Sequence, residues 1–274
     1  KSDIAVVFIG LSRRFEGEGF DRKDLDLPAN QNELVKKVVA ANKNTVVVLN
    51  TGAPVLMNEW VDNVPALLEM WYPGQDGGNA IADVLLGNYN PSGKLPTTFP
   101  VKWEDCSAYS TYPGKDGKVY YSDGIFVGYR YFDKQGAKVL FPFGYGLSYT
   151  TFEYSNLVIT PSMVPDTKID IEAAFDLKNT GQREGAEVAQ LYIRETEPGI
   201  ERPIKELKGF KRVDLKPGET KRVTLKLDKR SLAFYDIDKK DWTAKPGQFE
   251  VLVGSSSRDI KLKGIFTLQK GKLL

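Results

Sequence analysis

The chain of 274 residues contains no histidine and one cysteine, Cys106. Its longest apolar runs, such as Ile4 to Ile9 and Thr45 to Leu49, are a few residues long. Each shortage excludes something. A Ser-His-Asp or Cys-His nucleophile system needs an imidazole base, and this chain supplies none. One cysteine cannot build a His/Cys zinc site or an intrachain disulfide. Runs this short fall well below the ~20 apolar residues that span a bilayer as a helix, so no membrane is expected as a partner. Within the chain, proton transfer near neutral pH is left to carboxylates, Lys or Tyr, and neither a metal nor a cofactor is expected.

What is present is ordinary globular material, 41% hydrophobic and 11% aromatic, with a formal net charge of +2. The charge is uneven. Residues 201–274 hold 19 Lys or Arg against 10 Asp or Glu. Lys211, Arg212, Lys221, Arg222 and Lys226 stand among alternating apolar residues, as on the solvent face of strands. No groove-reading motif accompanies them, so no nucleic acid is expected. Lys-Ser-Asp at the start lacks the cleavage site of a signal peptide. Ile4-Ala-Val-Val-Phe-Ile-Gly10 reads as a strand buried on both faces and cut close to its start, which suggests a segment of something larger.

The first hundred residues alternate strand and helix signals. After the strand at Ile4–Gly10 comes a polar loop, Leu11 to Pro28. Asn32 to Asn42 carries Leu34, Val35, Val38 and Val39 at helical spacing. Thr45–Leu49 is a second buried strand and Ala66–Trp71 a third. Gly78 to Gly87 reads as a short helix stopped by glycine. This order predicts a mainly parallel α/β sheet, with ligands gathering beyond the carboxyl ends of its strands. From Pro91 to about Thr150, Pro, Gly, Tyr and Phe dominate, too aromatic for a disordered linker. From Phe152 onward the period is two. Ile169–Leu177, Val188–Ile193, Lys221–Leu227 and Gln248–Gly254 alternate between turns at Asn179-Thr-Gly, Lys216-Pro-Gly and Lys245-Pro-Gly. About seven short strands in ~120 residues fit an immunoglobulin-like or fibronectin type III-like sandwich. The expected division is residues 1–100 for the C-terminal portion of an α/β sandwich domain, 101–150 for an aromatic-rich crossover, and 151–274 for the β-sandwich.

The loop Arg13-Arg-Phe-Glu16-Gly-Glu18-Gly-Phe-Asp21-Arg22 is the chemical candidate. It is not a dinucleotide fingerprint, since Arg22 stands at the third glycine position, and it lacks the G-K-[ST] of a phosphate loop. A salt-bridged surface loop is the plain alternative. The chemical reading rests on Gly17 and Gly19, which let the backbone around Glu18 move and approach a ligand. A carboxyl group so placed suits general acid/base work, and retaining glycoside hydrolysis pairs one with a nucleophilic carboxylate ~5–5.5 Å away. Asp21, beside Arg22, reads as ion-paired. Asp76 reads as the cap of the following helix. Trp71, Tyr72 and Trp103 read as packing residues, whereas Phe20, adjoining Glu18, is a candidate for the +1 side of a sugar site.

The run Glu16-Gly-Glu-Gly-Phe-Asp-Arg-Lys-Asp-Leu-Asp-Leu-Pro28 resembles the acid/base loop of glycoside hydrolase family 3 β-glucosidases. So, in order, do Thr45–Pro54, Trp71-Tyr-Pro-Gly-Gln-Asp-Gly-Gly78, Asn90-Pro-Ser-Gly-Lys-Leu-Pro-Thr-Thr-Phe-Pro100, Val127–Asp133 and Phe141–Thr150. Leu177-Lys-Asn-Thr-Gly181 with Gly185–Tyr192 is similar to the family's fibronectin-like domain. The resemblance covers essentially the whole chain. It implies a partial α/β sandwich with a mainly parallel sheet, then a fibronectin type III-like sandwich. It also implies a retaining, exo-acting β-glucosidase acting on terminal non-reducing β-D-glucosyl residues of β-gluco-oligosaccharides. By register on the motif, Glu18 is the general acid/base and Glu16, two residues away, its competitor. A (β/α)8-type barrel domain or chain, absent from this sequence with its Ser-Asp-Trp motif, would supply the Asp nucleophile. Without it, the chain alone is expected to be inactive. A β-xylosidase of the same family and a non-catalytic carbohydrate-binding or assembly module are the alternatives. A homo-oligomer stays open. So does the compartment, with periplasmic or extracellular slightly ahead of cytoplasmic.

Overall fold

The computed structural model describes residues 2–270. Its first parallel sheet forms where the sequence has its β-branched runs. Strand β1 (Ala5–Gly10) and strand β2 (Thr45–Asn50) pair in parallel from Ala5 with Thr45 to Gly10 with Asn50. β2 also pairs in parallel with β3 (Ala66–Glu69), so β2 is central. Its Val47, Val48 and Leu49 are fully buried. Helix α1 (Gln31–Ala41) connects β1 to β2 and buries Val35 and Val39. This is the strand-helix-strand unit that the parallel arrangement requires.

One expectation is corrected here. β1 is not buried on both faces. Val7 and Ile9 point inward, but Ile4, Val6 and Phe8 are exposed, Phe8 by 59%. β1 lies at the edge of the sheet, and only its Val7/Ile9 side is covered by the described residues. Helix α2 (Gly77–Leu86) follows β3 and stops at Gly87, whose φ of 76° is the left-handed value that glycine accepts readily. A short antiparallel pair, β4 (Phe99–Pro100) with β5 (Val139–Phe141), brings Phe99 edge-on to Phe141.

Two compact units result. One comprises residues 1–89, 97–124 and 136–141; the other comprises 90–96, 125–135 and 142–274. The second begins with helix α3 (Tyr129–Lys134) and is otherwise built of strands. One sheet holds β6 (Phe152–Thr160), β8 (Asp170–Asn179) and β11 (Thr220–Asp228) in the order β11-β8-β6. The other holds β7 (Met163–Pro165), β9 (Gly185–Glu195), β10 (Glu206–Leu215), β14 (Gly247–Ser256) and β15 (Asp259–Gln269) in the order β10-β9-β14-β15-β7. Helix α4 (Lys229–Leu232) and the small hairpin of β12 (Phe234–Asp236) and β13 (Asp241–Thr243) join β11 to β14. The inward residues alternate as period two demands: Ile171, Phe175 and Leu177 from one sheet, Leu191, Val251 and Phe266 from the other. This is the expected sandwich. The basic residues of β10 and β11 lie on its solvent face, several already paired with acids: Arg222 with Asp176 at 3.0 Å, Arg212 with Asp214 at 2.7 Å. Among the described residues no helix is long and apolar enough to cross a membrane, and no group of three or more Asp, Glu, His or Cys is placed to hold a metal.

Candidate active site

The three parallel strands end together at Gly10, Asn50 and Glu69, and the loops leaving them build the site. A side chain at Gly10 would place its Cβ 2.0 Å from the Asn50 carbonyl oxygen, so only glycine lets the two strand ends close up. Gln31 fixes the start of the first loop. Its amide accepts from Gly10 N–H at 2.7 Å and donates to Gly10 C=O at 2.9 Å, standing in for a further strand.

Beyond Leu11 the chain makes one helical turn, with Phe15 and Glu16 N–H donating to the Ser12 carbonyl at 2.8 and 3.1 Å. It then reverses tightly, Gly17 bridging to Phe20, so that Glu18 and Gly19 form the tip. Glu18 is exposed and makes no hydrogen bond or ion pair among the described residues. Glu16 is half-buried and anchored. Its carboxylate accepts Gly52 N–H at 2.8 Å and the Tyr72 hydroxyl. Gly52 is required for that approach, because a Cβ there would lie 2.7 Å from the Tyr72 ring and 3.0 Å from the Glu16 carboxylate. Desolvation, and then the Glu16 carboxylate, push the Tyr72 hydroxyl up to about 12.

A third carboxylate, Glu69, sits beneath. It accepts Trp71 N–H at 2.8 Å and Thr51 Oγ1–H at 3.4 Å. Burial pushes its carboxyl up to about 7, and the nearby Glu16 charge adds to the rise. Trp71 takes a φ of +51°, costly for a side-chain-bearing residue by ~1–3 kcal/mol, and is held there by Glu69 on its N–H and by the Asn50 amide on its carbonyl. Its ring packs against Phe99 at 6.1 Å.

Several expectations meet their outcome here. The loop is not salt-bridged: among the described residues Arg13, Arg14 and Arg22 form no ion pair. Arg22 donates to the Pro54 carbonyl at 3.2 Å, and Asp21, whose charge adds to burial in raising the Tyr112 hydroxyl, forms no ion pair with Arg22 among the described residues. Asp76 does occupy the position before α2, but its carboxylate accepts from the Asn79 side chain at 2.6 Å and caps no helix N–H. Trp103 packs edge-on to Tyr109 and Tyr112, as a packing residue should, whereas Tyr72 is exposed and serves the loop. Phe20 lies over Gly17 and, with Glu16, Arg22, Ala53, Trp103 and Tyr112, lines a recess of about 290 Å³ beside the turn. Sequence reading missed Glu69 and the Tyr72 hydroxyl. The signal for Glu69 was there, as the lone charge in Ala66-Leu-Leu-Glu-Met.

The chain that carries this loop is similar to known proteins over nearly its whole length. Residues 1–149 match the description Glycosyl hydrolase family 3 C-terminal domain. The chain belongs to glycoside hydrolase family 3. Residues 187–257 match the Fibronectin type III-like domain, which agrees with the two-sheet sandwich. Thermostable beta-glucosidase B of Acetivibrio thermocellus is 50% identical over 262 residues, 96% of this chain and 34% of that protein. An Exo-alpha-(1->6)-L-arabinopyranosidase of Bifidobacterium breve is 42% identical over 94% of the chain and 34% of its own length. Among solved structures, the beta-glucosidase of Kluyveromyces marxianus in complex with glucose superposes with a TM-score of 0.92 at 44% identity, covering 98% of this chain and 32% of that one. The chain thus spans about a third of the length of the curated relatives it matches.

Proposed function

We propose that this chain is the acid/base-bearing part of a retaining, exo-acting β-glucosidase that removes terminal non-reducing β-D-glucosyl residues. The observation that carries the reading is the placement of Glu18, an unpaired carboxyl at the tip of the Gly17–Phe20 turn on an otherwise tethered loop. Glu18 protonates the leaving glycosidic oxygen while an Asp from a (β/α)8-type barrel, outside this chain, attacks the anomeric carbon. A covalent glucosyl-enzyme forms and the aglycone departs. Glu18, now ionised, takes a proton from water as that water attacks the same carbon, which releases glucose and restores the nucleophile. Phe20 and the recess beside it offer an apolar wall to the leaving group, on the +1 side. No step calls for a metal or a cofactor.

The identity of the sugar belongs elsewhere in the protein. A segment 42% identical to this one serves an arabinopyranosidase in Bifidobacterium breve, so this part is compatible with more than one glycone. In the full-length enzyme, Glu18→Gln lowers kcat/KM for substrates with poor leaving groups by about 10²–10⁴-fold, the usual worth of general acid/base catalysis. Azide then yields β-glucosyl azide. Unchanged hydrolysis of phenyl β-glucoside by Glu18→Gln would refute the assignment.

A further inference from the structure

We propose that Glu16 is a positioning residue for Glu18, a carboxylate latch that fixes the base of the turn so that the acid/base stands at one place above the sheet edge. The inference rests on the assignment of Glu18 just given.

Glu16 is the last residue before the turn, and it is held from two sides. Its N–H is bound by the Ser12 carbonyl at 3.1 Å. Its carboxylate oxygen Oε2 takes both Gly52 N–H, from the loop after β2, and the Tyr72 hydroxyl, from the loop after β3. One oxygen therefore ties three loops together at the carboxyl edge of the sheet. The chain beyond that knot can vary only over Gly17, Glu18 and Gly19 before the bridge at Phe20 closes the turn. Two of those three residues are glycines, which impose no conformation of their own. Without the latch, the turn would pivot on Gly17 and carry Glu18 with it. A misplacement of ~1 Å in a catalytic group costs about 10²-fold in rate.

The same geometry argues against Glu16 as the proton donor. Its Oε2 is held by two donors from neighbouring loops, whereas Glu18 is unpaired among the described residues. Both donors fall on one oxygen, so a glutamine at 16 can keep the shape of the knot while losing its charge. Charge-assisted hydrogen bonds are about twice as strong as neutral ones. Gln should therefore retain part of what Ala destroys.

The test is a leaving-group series in the full-length enzyme, comparing kcat/KM for phenyl and 2,4-dinitrophenyl β-glucosides. The dinitrophenolate leaves without protonation, so its kcat/KM does not depend on where Glu18 stands. Glu16→Ala should lower kcat/KM for the phenyl glucoside about 10- to 100-fold and leave the dinitrophenyl glucoside within about threefold. Glu16→Gln and Tyr72→Phe should fall between Ala and the parent. The double variant Glu16→Ala/Tyr72→Phe should be no worse than Glu16→Ala, because both remove one contact. Tyr72→Phe removes a single oxygen, so it reports on the latch even if Glu16→Ala folds poorly. Equal losses on both substrates, or none, would overturn the latch while leaving Glu18 intact. Glucosyl azide formed by Glu16→Ala and not by Glu18→Gln would make Glu16 the acid/base and overturn both readings. A leaving-group dependence in Glu18→Gln unchanged from the parent would overturn the assignment of Glu18 and, with it, the latch that rests on it.

Discussion

Glu69 shows how a single residue near the site couples to solvent. The unfolded chain releases this proton near 4.5, whereas the folded chain keeps it to about 7. Between those values a rise in pH favours the unfolded state, so folding stability falls with rising pH and levels off above 7. The whole effect is at most about 3 kcal/mol. Glu69→Gln removes the titration, so the stability gained over the parent should grow from pH 4.5 to 7 and then stay constant, as read from urea unfolding at each pH. A difference that is flat with pH would mean that Glu69 ionises as it does in the unfolded chain. The cysteine has no such role: burial and two adjacent acids, Asp105 and Glu104, push its thiol up to about 11, away from the reactive thiolate. The Glu16–Glu18 loop was legible in the sequence because its glycines and charges are contiguous. Glu69 stood out only as a lone charge in an apolar run; its partner Thr51 comes from the loop after β2, and its burial arises only when the strands assemble.

At the scale of elements, period and turn residues located the three parallel strands, helices α1 and α2, and four strands of the sandwich, β8, β9, β11 and β14. The helix expected over Asn32–Asn42 forms over Gln31–Ala41, and the Gly78–Gly87 helix over Gly77–Leu86. What period cannot supply is neighbour order. A run such as Ile4–Ile9 looks the same whether its strand is central or at an edge. The central position of β2 and the edge position of β1 follow from pairing across some forty residues. The two strands should therefore answer differently to mutation. Leu49→Ala, in the fully buried centre, should cost about 3–5 kcal/mol in chemical denaturation. Phe8→Ser, on the bare face of β1, should change the stability of the isolated chain by less than about 1 kcal/mol and reduce its self-association. Comparable losses at both positions would mean that the Phe8 side is covered in solution.

At the scale of the molecule, the proposed chemistry is incomplete by one carboxylate. The purified 274-residue chain should hydrolyse neither phenyl nor 2,4-dinitrophenyl β-glucoside above background, because the second substrate spares the acid but still needs a nucleophile. Turnover by the chain alone, measured with the dinitrophenyl substrate, would place a nucleophile within it. Composition left proton transfer within the chain to carboxylates, Lys or Tyr, and the proposed acid/base is a carboxyl group.

The path of the backbone has a consequence for synthesis and for engineering. The polypeptide passes from one unit to the other five times before residue 142, through the segments 90–96, 97–124, 125–135 and 136–141. As the chain leaves the ribosome, the unit holding the Glu18 loop cannot close until residue 141 has emerged. By then two pieces of its neighbour are already committed and waiting for strands not yet made. No one scission separates the two, and neither can be cloned as an uninterrupted stretch. Recombination between relatives would have to carry both together, so the Glu18 loop and the sandwich should be inherited as a pair.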